Sequence, residues 1–173
     1  YVADMAKHAG KLNAMHLERV WKSVPDQLAR GVDGAASKYV FKGVIPGQGR
    51  YSRMAGLFDW LSHAGLVIRA PIVNHAELPL SAWVNESFFK LYHFDVGVLG
   101  AMAHLEPRTI LAWEFGTYKG FFAENFVAQE LKVTGVSPLS WTEGTSEVEF
   151  LLERGGCCIP IEVKSGQQTR SRS

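Results

Sequence analysis

The sequence predicts a mixed α/β (α+β) fold built from two consecutive parts. Apolar residues recur at helical spacing in three stretches of the first 65 residues, and two apolar extended runs follow at 66–73 and 88–96. A helical pattern and three strand patterns then complete the chain. Of the 173 residues 47% are hydrophobic, which is enough to bury a core.

The first part begins with helices. Residues 3–22 carry Ala, Met, Leu, Val and Trp at three-to-four spacing, which predicts a helix. Ser23 as a cap and Pro25 in a first turn predict that a second, short helix starts there. The stretch 38–44, KYVFKGV, is expected to be a short strand or extended segment. A third helix is expected over 50–64, with the apolar stripe Met54, Leu57, Phe58 and Leu61 and with Gly65 as its C-terminal cap.

Three helices followed by two strands are the element order of a winged helix. The helix at 50–64 would then be the recognition helix, and residues 66–94 would form the wing. Arg50 and Arg53 are the candidates for phosphate contacts, whereas Asp59 opposes them. Residues 1–106 are therefore expected to form a winged-helix-like module that either reads DNA or packs against a neighbouring domain.

Residues 107–173 form the second part. The stretch KGFFAENFVAQELKVTG predicts a helix that ends at Gly135, and PLSWTE, a GTS turn and two further strands follow it. The chain starts in helical sequence and stops in a basic stretch. It is therefore expected to be a piece of a longer protein, with this second domain incomplete at its C-terminal end.

The last two strands predict a hairpin that turns at Gly155-Gly156, a pair that suits type I′ and II′ turns. In that register Glu149 lies opposite Glu162 and Glu147 opposite Lys164. Like charges directly opposed are destabilising, whereas a divalent cation would use both carboxylates as ligands. The alternative is a solvated sheet face on which Glu147 and Lys164 form an ordinary ion pair.

The preceding helix offers a third acid. Glu124 lies off the polar stripe of Asn125, Gln129 and Lys132, so it is expected to face the sheet. Glu130 also falls in the apolar arc, and the helix alone does not choose between the two.

A helix-borne glutamate, an acid on one strand and E-x-K on its partner strand together resemble the PD-(D/E)XK nuclease-like superfamily. From about residue 20 onward, the segments VPDQLAR, YSRMAGLFDWLSHAGLV, KLYHFDVGVLGAM, GFFAENFVAQEL and SEVEFLLERGGCCIPIEVKSG also resemble the bacterial domain of unknown function that follows an AAA-type ATPase core. The resemblance implies a restriction-endonuclease-like core with Glu124, Glu149, Glu162 and Lys164 as its catalytic residues. It further implies Mg²⁺ or Mn²⁺ held by Glu149, Glu162 and Glu124.

The same resemblance implies a partner, the ATPase core that would precede this domain in the same protein and would carry the ATP site. This chain has no GxxxxGK[ST] of its own. DNA or RNA is a further expected partner. No membrane partner is expected, because no apolar run reaches 18 residues. Two adjacent cysteines that cannot pair normally are typical of a reducing compartment, so the cytoplasm is expected.

Two functions remain open. The first is a non-catalytic module that binds nucleic acid or protein and regulates the ATPase. The second is a Mg²⁺-dependent nuclease that cleaves DNA or RNA. The superfamily's strand acid is most often Asp, and Glu149 is one methylene longer. This departure and the net charge of only +1 favour the binding module.

Overall fold

Five strands form one mixed sheet in the computed structural model, which describes residues 1–31 and 36–166. They are β1 (Val67–Val73), β2 (Val84–His93), β3 (Leu139–Glu143), β4 (Ser146–Arg154) and β5 (Cys157–Ile161). The order across the sheet is β2-β1-β3-β4-β5, with β1 and β3 parallel and every other neighbouring pair antiparallel. The mixed α/β class is therefore confirmed. Because this sheet takes strands from both sides of residue 106, the expected division there stays a prediction.

Helices cover both faces of the sheet. Over the described residues they are α1 (Val2–Ala9), α2 (Lys11–Leu28), α3 (Tyr51–His63), α4 (Val96–Met102), α5 (Pro107–Ala112) and α6 (Tyr118–Val133). Phe89 of β2 packs its ring 5.0 Å from Phe58 of α3, while Tyr92 of the same strand bonds Glu124 of α6. Residues three apart on a strand point to opposite faces. Helices α3 and α6 therefore lie on opposite sides of the sheet.

The first helical stretch breaks at Gly10 and not at Ser23. Gly10 has φ of 78°, a conformation that glycine adopts easily, and it separates α1 from α2. The predicted second helix at Ser23 is wrong, because α2 runs on to Leu28 with Pro25 inside it. Within α2, the Ser23 hydroxyl donates to the Val20 carbonyl at 2.7 Å. Ser23 and Pro25 therefore lie within one continuous helix.

The third helix ends as predicted. Three members of its apolar stripe, Met54, Phe58 and Leu61, are fully buried. Gly65 has φ of 68°, and the Leu66 amide donates to the Leu61 carbonyl at 2.9 Å, which closes the helix end.

The two strands that follow α3 form the predicted antiparallel pair, β1 with β2. β1 also pairs with β3 on its other side, so the hairpin is part of the main sheet and not a free wing. The stretch 38–44, predicted as a short strand or extended segment, contains no strand. The Tyr39 amide donates to the Phe89 carbonyl at 2.8 Å, and residues 42–44 form a turn.

The face of α6 that was predicted to be polar is partly buried. Asn125 is fully buried because its amide side chain bonds the His93 backbone twice, accepting from the amide at 2.7 Å and donating to the carbonyl at 3.1 Å. Gln129 accepts from the Val96 amide at 2.9 Å, at the start of α4. Two members of the predicted stripe therefore tie α6 to the end of β2 and to α4.

The predicted hairpin register is confirmed from the turn to Phe150 and Ile161, where the ladder ends. Arg154 pairs with Cys157, Leu152 with Ile159 and Phe150 with Ile161. Gly155 and Gly156 both have positive φ, as a type I′ turn requires. Pro160 lies on this edge strand, where a missing N–H discourages pairing with another chain.

Among the helices of the described residues, none combines the length and apolar character needed to cross a membrane.

We predict that Asn125→Ala lowers the free energy of unfolding by roughly 2–4 kcal/mol, because it leaves two buried backbone groups of His93 without a partner. Urea unfolding measures the loss. Gln129→Ala on the same helix removes a single half-buried bond, so it serves as the control with an expected cost of about 1 kcal/mol. Equal costs for the two variants would contradict the role of Asn125.

A second prediction concerns His93, which is fully buried against Trp21 with neither ring nitrogen hydrogen-bonded to a described residue. Burial lowers the pKa of His93 from 6.5 to about 4, although the charge of Asp95 acts in the opposite direction. The unfolded chain therefore binds the extra proton first, so this contribution to stability is complete above pH 6.5 and is lost as the pH falls toward 4.

We expect the chain to be less stable at pH 5 than at pH 7 by about 2 kcal/mol from this group alone. Urea unfolding at the two pH values measures it. His93→Gln should remove that part of the pH dependence, whereas the exposed His8→Gln should leave it intact. An unchanged pH dependence in His93→Gln would contradict the prediction.

Candidate functional site

Glu124 is the helix-borne acid of the predicted site. The middle of α6 packs against the sheet, so its carboxylate lies in the core with 1% of the residue exposed. Its position facing the sheet agrees with the prediction, and Glu130, the other candidate, is exposed. The buried carboxylate therefore has to find its hydrogen-bond partners inside the protein.

Three donors surround the Glu124 carboxylate. Oε1 accepts from Lys90 Nζ at 3.2 Å and from the Tyr92 hydroxyl, and Oε2 accepts from the Ala36 amide at 2.7 Å. Lys90 and Tyr92 are two residues apart on β2, so both side chains reach α6 from one face of the sheet. The carboxylate thus links α6, β2 and the segment that begins at Ala36.

Protonation in this network follows from burial. Burial raises the pKa of the Glu124 carboxyl, while Lys90, the Ala36 amide and Tyr92 act to lower it. Burial also raises the pKa of Tyr92 well above its usual value, and the negative charge of Glu124 adds to this effect. The Tyr92 hydroxyl is therefore neutral and donates a hydrogen bond to the carboxylate.

The direction of the acidic side chains on β4 depends on a β-bulge in this strand. Leu139 pairs with Leu151 and Trp141 with Val148, so three steps along β4 oppose two steps along β3. The bulge contains Glu149 and Phe150. Leu139, Trp141 and Leu151 pack in one small cluster with Val73 and Leu80 on one face.

Because of the bulge, Val148 pairs with Trp141 and lies on the cluster's face, and not on the face of Phe150 and Leu152 where regular alternation along β4 would place it. Phe150 points to the opposite face, where its ring lies 5.7 Å from that of Tyr92. The charges of Glu149 and Glu147 also raise the pKa of Tyr92, after burial and Glu124. The acids of β4 thus act on the same buried hydroxyl as the acid of α6.

The remaining predicted residues lie just past the end of β5. Glu149 Oε2 accepts from the Val163 amide at 3.2 Å. Glu162 and Lys164 form an ion pair in which both side chains are largely exposed. A hydrogen bond from Lys164 to Glu162 raises the pKa of Lys164, and the charges of Glu162 and Glu149 add to it. Glu149 thus contacts the backbone between Glu162 and Lys164, while the ladder ends at Ile161, one residue before Glu162. The direct opposition of Glu149 and Glu162 stays a prediction.

The fit of a divalent cation can be judged from the donors already present. Glu124 has a partner on both oxygens, and Glu162 is paired with Lys164. Within residues 1–31 and 36–166, no group of three or more His, Cys, Asp or Glu side chains lies close enough to hold a metal. The arrangement in this structure does not fit a metal ion, and a metal held by Glu124, Glu149 and Glu162 stays a prediction.

Lys90 and Tyr92 belong to the site but were not predicted from the sequence. The signal is present in FFKLYHF, where Lys90 and Tyr92 share one face of an otherwise apolar strand. A lysine on a strand with apolar neighbours needs a buried acid as its partner. Glu124 was the available acid on the facing helix.

Comparison with known proteins gives two family matches and no relative. No curated protein and no solved structure matches the chain. Residues 119–173, which include α6 and the hairpin, match the model described as Domain of unknown function (DUF4143). Residues 1–109, more than half of the chain, match the model described as Domain of unknown function (DUF8612). The chain therefore belongs to the family of the Domain of unknown function (DUF8612).

Proposed function

We propose that this chain is a non-catalytic regulatory module that binds a partner macromolecule, nucleic acid or protein, for an AAA-type ATPase core in the same protein. The observation that carries the proposal is that the buried Glu124 carboxylate already accepts hydrogen bonds from Lys90, Tyr92 and the Ala36 amide. A catalytic metal ligand must offer free lone pairs to the ion. Oε1 of Glu124 already accepts two hydrogen bonds and Oε2 one, so an ion would compete with these donors for the carboxylate.

The strand acids support the same proposal. Glu162 takes the ammonium group of Lys164, which a nuclease would need for the scissile phosphate. Residues 139–166 also carry five Asp or Glu against two Lys or Arg. A phosphodiester brought to these strands without a metal meets net negative charge, which disfavours binding there.

The finer identity of the fold is part of the proposal. Helix α6 followed by β3, β4 and β5, with Glu124 on α6, Glu149 on β4 and the Glu162-Val163-Lys164 segment directly after β5, supports a PD-(D/E)XK-like second half. The order α1 to α3 followed by an antiparallel pair supports a winged-helix-like first half. Neither half needs to be an enzyme for these likenesses to hold, because one fold serves many functions.

A Mg²⁺-dependent nuclease is the second candidate, and the bulge in β4 favours it. Bulges are common beside active sites, where they re-aim a side chain. Here the bulge includes Glu149, whose charge reaches the Tyr92 hydroxyl that Glu124 binds. An ion held by Glu149, Glu162 and Glu124 would polarise a phosphodiester. This candidate requires Glu124 and Glu162 to release their present partners.

If Glu124 is structural, Glu124→Gln should lower the free energy of unfolding by roughly 3–5 kcal/mol, because it leaves Lys90 buried without a counter-charge. Urea unfolding at neutral pH measures the loss. The control is Glu162→Gln, which removes an exposed ion pair and should cost about 1 kcal/mol or less.

The double variant Glu124→Gln with Lys90→Met also tests whether the cost of Glu124→Gln comes from the unpaired charge of Lys90. Removing both charges should cost less than Glu124→Gln alone, because no unpaired charge stays in the core. A Glu124→Gln variant as stable as the unchanged chain would contradict the structural role.

Metal addition separates the two candidate functions. For the non-catalytic module, we expect Mg²⁺ or Mn²⁺ to leave the melting temperature unchanged and labelled DNA and RNA uncleaved. For the nuclease, metal at a hundredfold excess over Kd should stabilise the fold by about 2.7 kcal/mol. Glu162→Gln should then abolish that gain. A metal-dependent stabilisation that Glu162→Gln removes would overturn the non-catalytic proposal.

A further inference from the structure

Charge is unevenly distributed along this chain. Residues 1–53 carry nine Lys or Arg and four Asp or Glu, whereas residues 139–166 carry two Lys or Arg and five Asp or Glu. The net charge of +1 for the whole chain hides this division. The first segment supplies α1, α2 and the start of α3, while the second supplies β3, β4 and β5. Within residues 1–53 the helices carry five Lys or Arg against three Asp or Glu, and the rest of the segment carries four against one. The excess positive charge therefore lies in these helices and in the sequence between them, and the excess negative charge lies in the strands.

A groove lies along the basic part. It has a volume of about 520 Å³ and runs between α2 and the loop at Gly43 and Val44. Arg19, Lys22 and Arg30 line it, and all three are exposed. Arg19 and Lys22 are three residues apart and so lie on one helical face. We refer to this feature as the basic groove.

Two of its cations are available to a partner. Lys22 pairs with Glu18 at 2.6 Å, but Arg19 and Arg30 make no ion pair with any residue in the described ranges. Asp26 also lines the groove and opposes an anion there. Among the described residues that line the groove, three cations, Arg19, Lys22 and Arg30, stand against two acids, Glu18 and Asp26, so these residues carry a net charge of +1.

The positive surface continues past the loop to α3. Exposed Lys42 precedes Gly43, and Gly49 packs on it so closely that an added Cβ would lie 3.7 Å from Lys42 Cα. The loop therefore folds back on itself and brings exposed Arg50, the residue after Gly49, to the same region. Arg53 in the first turn of α3 donates to the Gly47 carbonyl at 3.5 Å.

We infer that the basic groove binds the phosphate backbone of a nucleic acid. Guanidinium groups match phosphate oxygens in a two-bond fork and stay charged at every physiological pH. This assignment rests on the proposed binding function and specifies its partner and its place. It puts the nucleic acid on α2 and the 42–50 loop, away from Glu149 and Glu162.

The composition of the basic groove argues against a protein partner. Protein interfaces are held by buried aromatic and arginine anchors in an apolar centre. Of the described residues that line this groove, none is aromatic, and its apolar side chains are Met15 and Val44. Exposed arginines without aromatic anchors fit a contact to a charged backbone, in which the sequence of bases is not read.

The test is fluorescence anisotropy with labelled DNA and RNA oligonucleotides in EDTA, so that no metal contributes. The unchanged chain should bind, and its affinity should fall as salt is added. Arg19→Glu with Arg30→Glu should weaken binding by roughly tenfold or more, and should lower the slope of log affinity against log salt by about 2. The matched control, Lys132→Glu with Arg154→Glu, reverses two exposed cations that do not line the groove, changes net charge equally and should keep the affinity within about twofold.

Folding of each variant is checked by thermal melting. The single variant Arg19→Glu changes an exposed residue in the middle of α2, and it provides a second test with a smaller expected loss of affinity. Equal losses in both double variants, or no binding by the unchanged chain, would overturn the assignment. Absence of binding by the unchanged chain would favour a protein partner. It would leave the non-catalytic proposal in place, because metal addition tests that proposal separately. A metal-dependent gain in stability would instead remove the non-catalytic proposal while leaving metal-free binding at the groove intact.

Discussion

The buried carboxylate of Glu124 is the contact on which the two halves of this chain depend. It joins α6 of the second half to two parts of the first half, to β2 through Lys90 and Tyr92 and to the segment that begins at Ala36 through the Ala36 amide. A charge with 1% of its residue exposed is tolerated only when it is paired and fully hydrogen-bonded. Each of the three donors is therefore needed, and moving any one of the elements that carry them would expose an uncompensated charge in the core.

The same constraint explains the character of the neighbouring strands. The Tyr92 hydroxyl that donates a hydrogen bond to Glu124 stays neutral, because burial and then the charges of the surrounding acids raise its pKa. The bulge in β4 places Phe150 against Tyr92, so an apolar ring shields the network from water. Glu149 satisfies the Val163 amide just after β5 ends. The residues of the predicted metal site thus complete the hydrogen-bonding of the sheet as it stands.

Local patterns predicted the features that depend on neighbouring residues alone. The end of α3 at Gly65 and the hairpin turn at Gly155-Gly156 follow from short-range backbone requirements, and both are confirmed. Features that depend on contacts distant in sequence were missed. Asn125 looked like part of a solvated stripe, because nothing near it in sequence shows that its amide bonds the backbone of His93. The bulge was missed because it arises from pairing with β3 and not from the β4–β5 hairpin.

A site whose acids hold the fold together cannot be tested by mutation and loss of activity alone. A substitution that neutralises Glu124 removes a buried counter-charge and destabilises the fold, so a loss of activity would follow whether or not Glu124 takes part in chemistry. Glu162 and Lys164 are different, because their ion pair is exposed and adds little to stability. Effects at these two positions report chemistry at the end of β5, and effects at Arg19 and Arg30 report binding at α2 and the residues that follow it. Of the described residues that line the basic groove, none belongs to β3, β4 or β5, so the two activities can be examined independently in one folded chain.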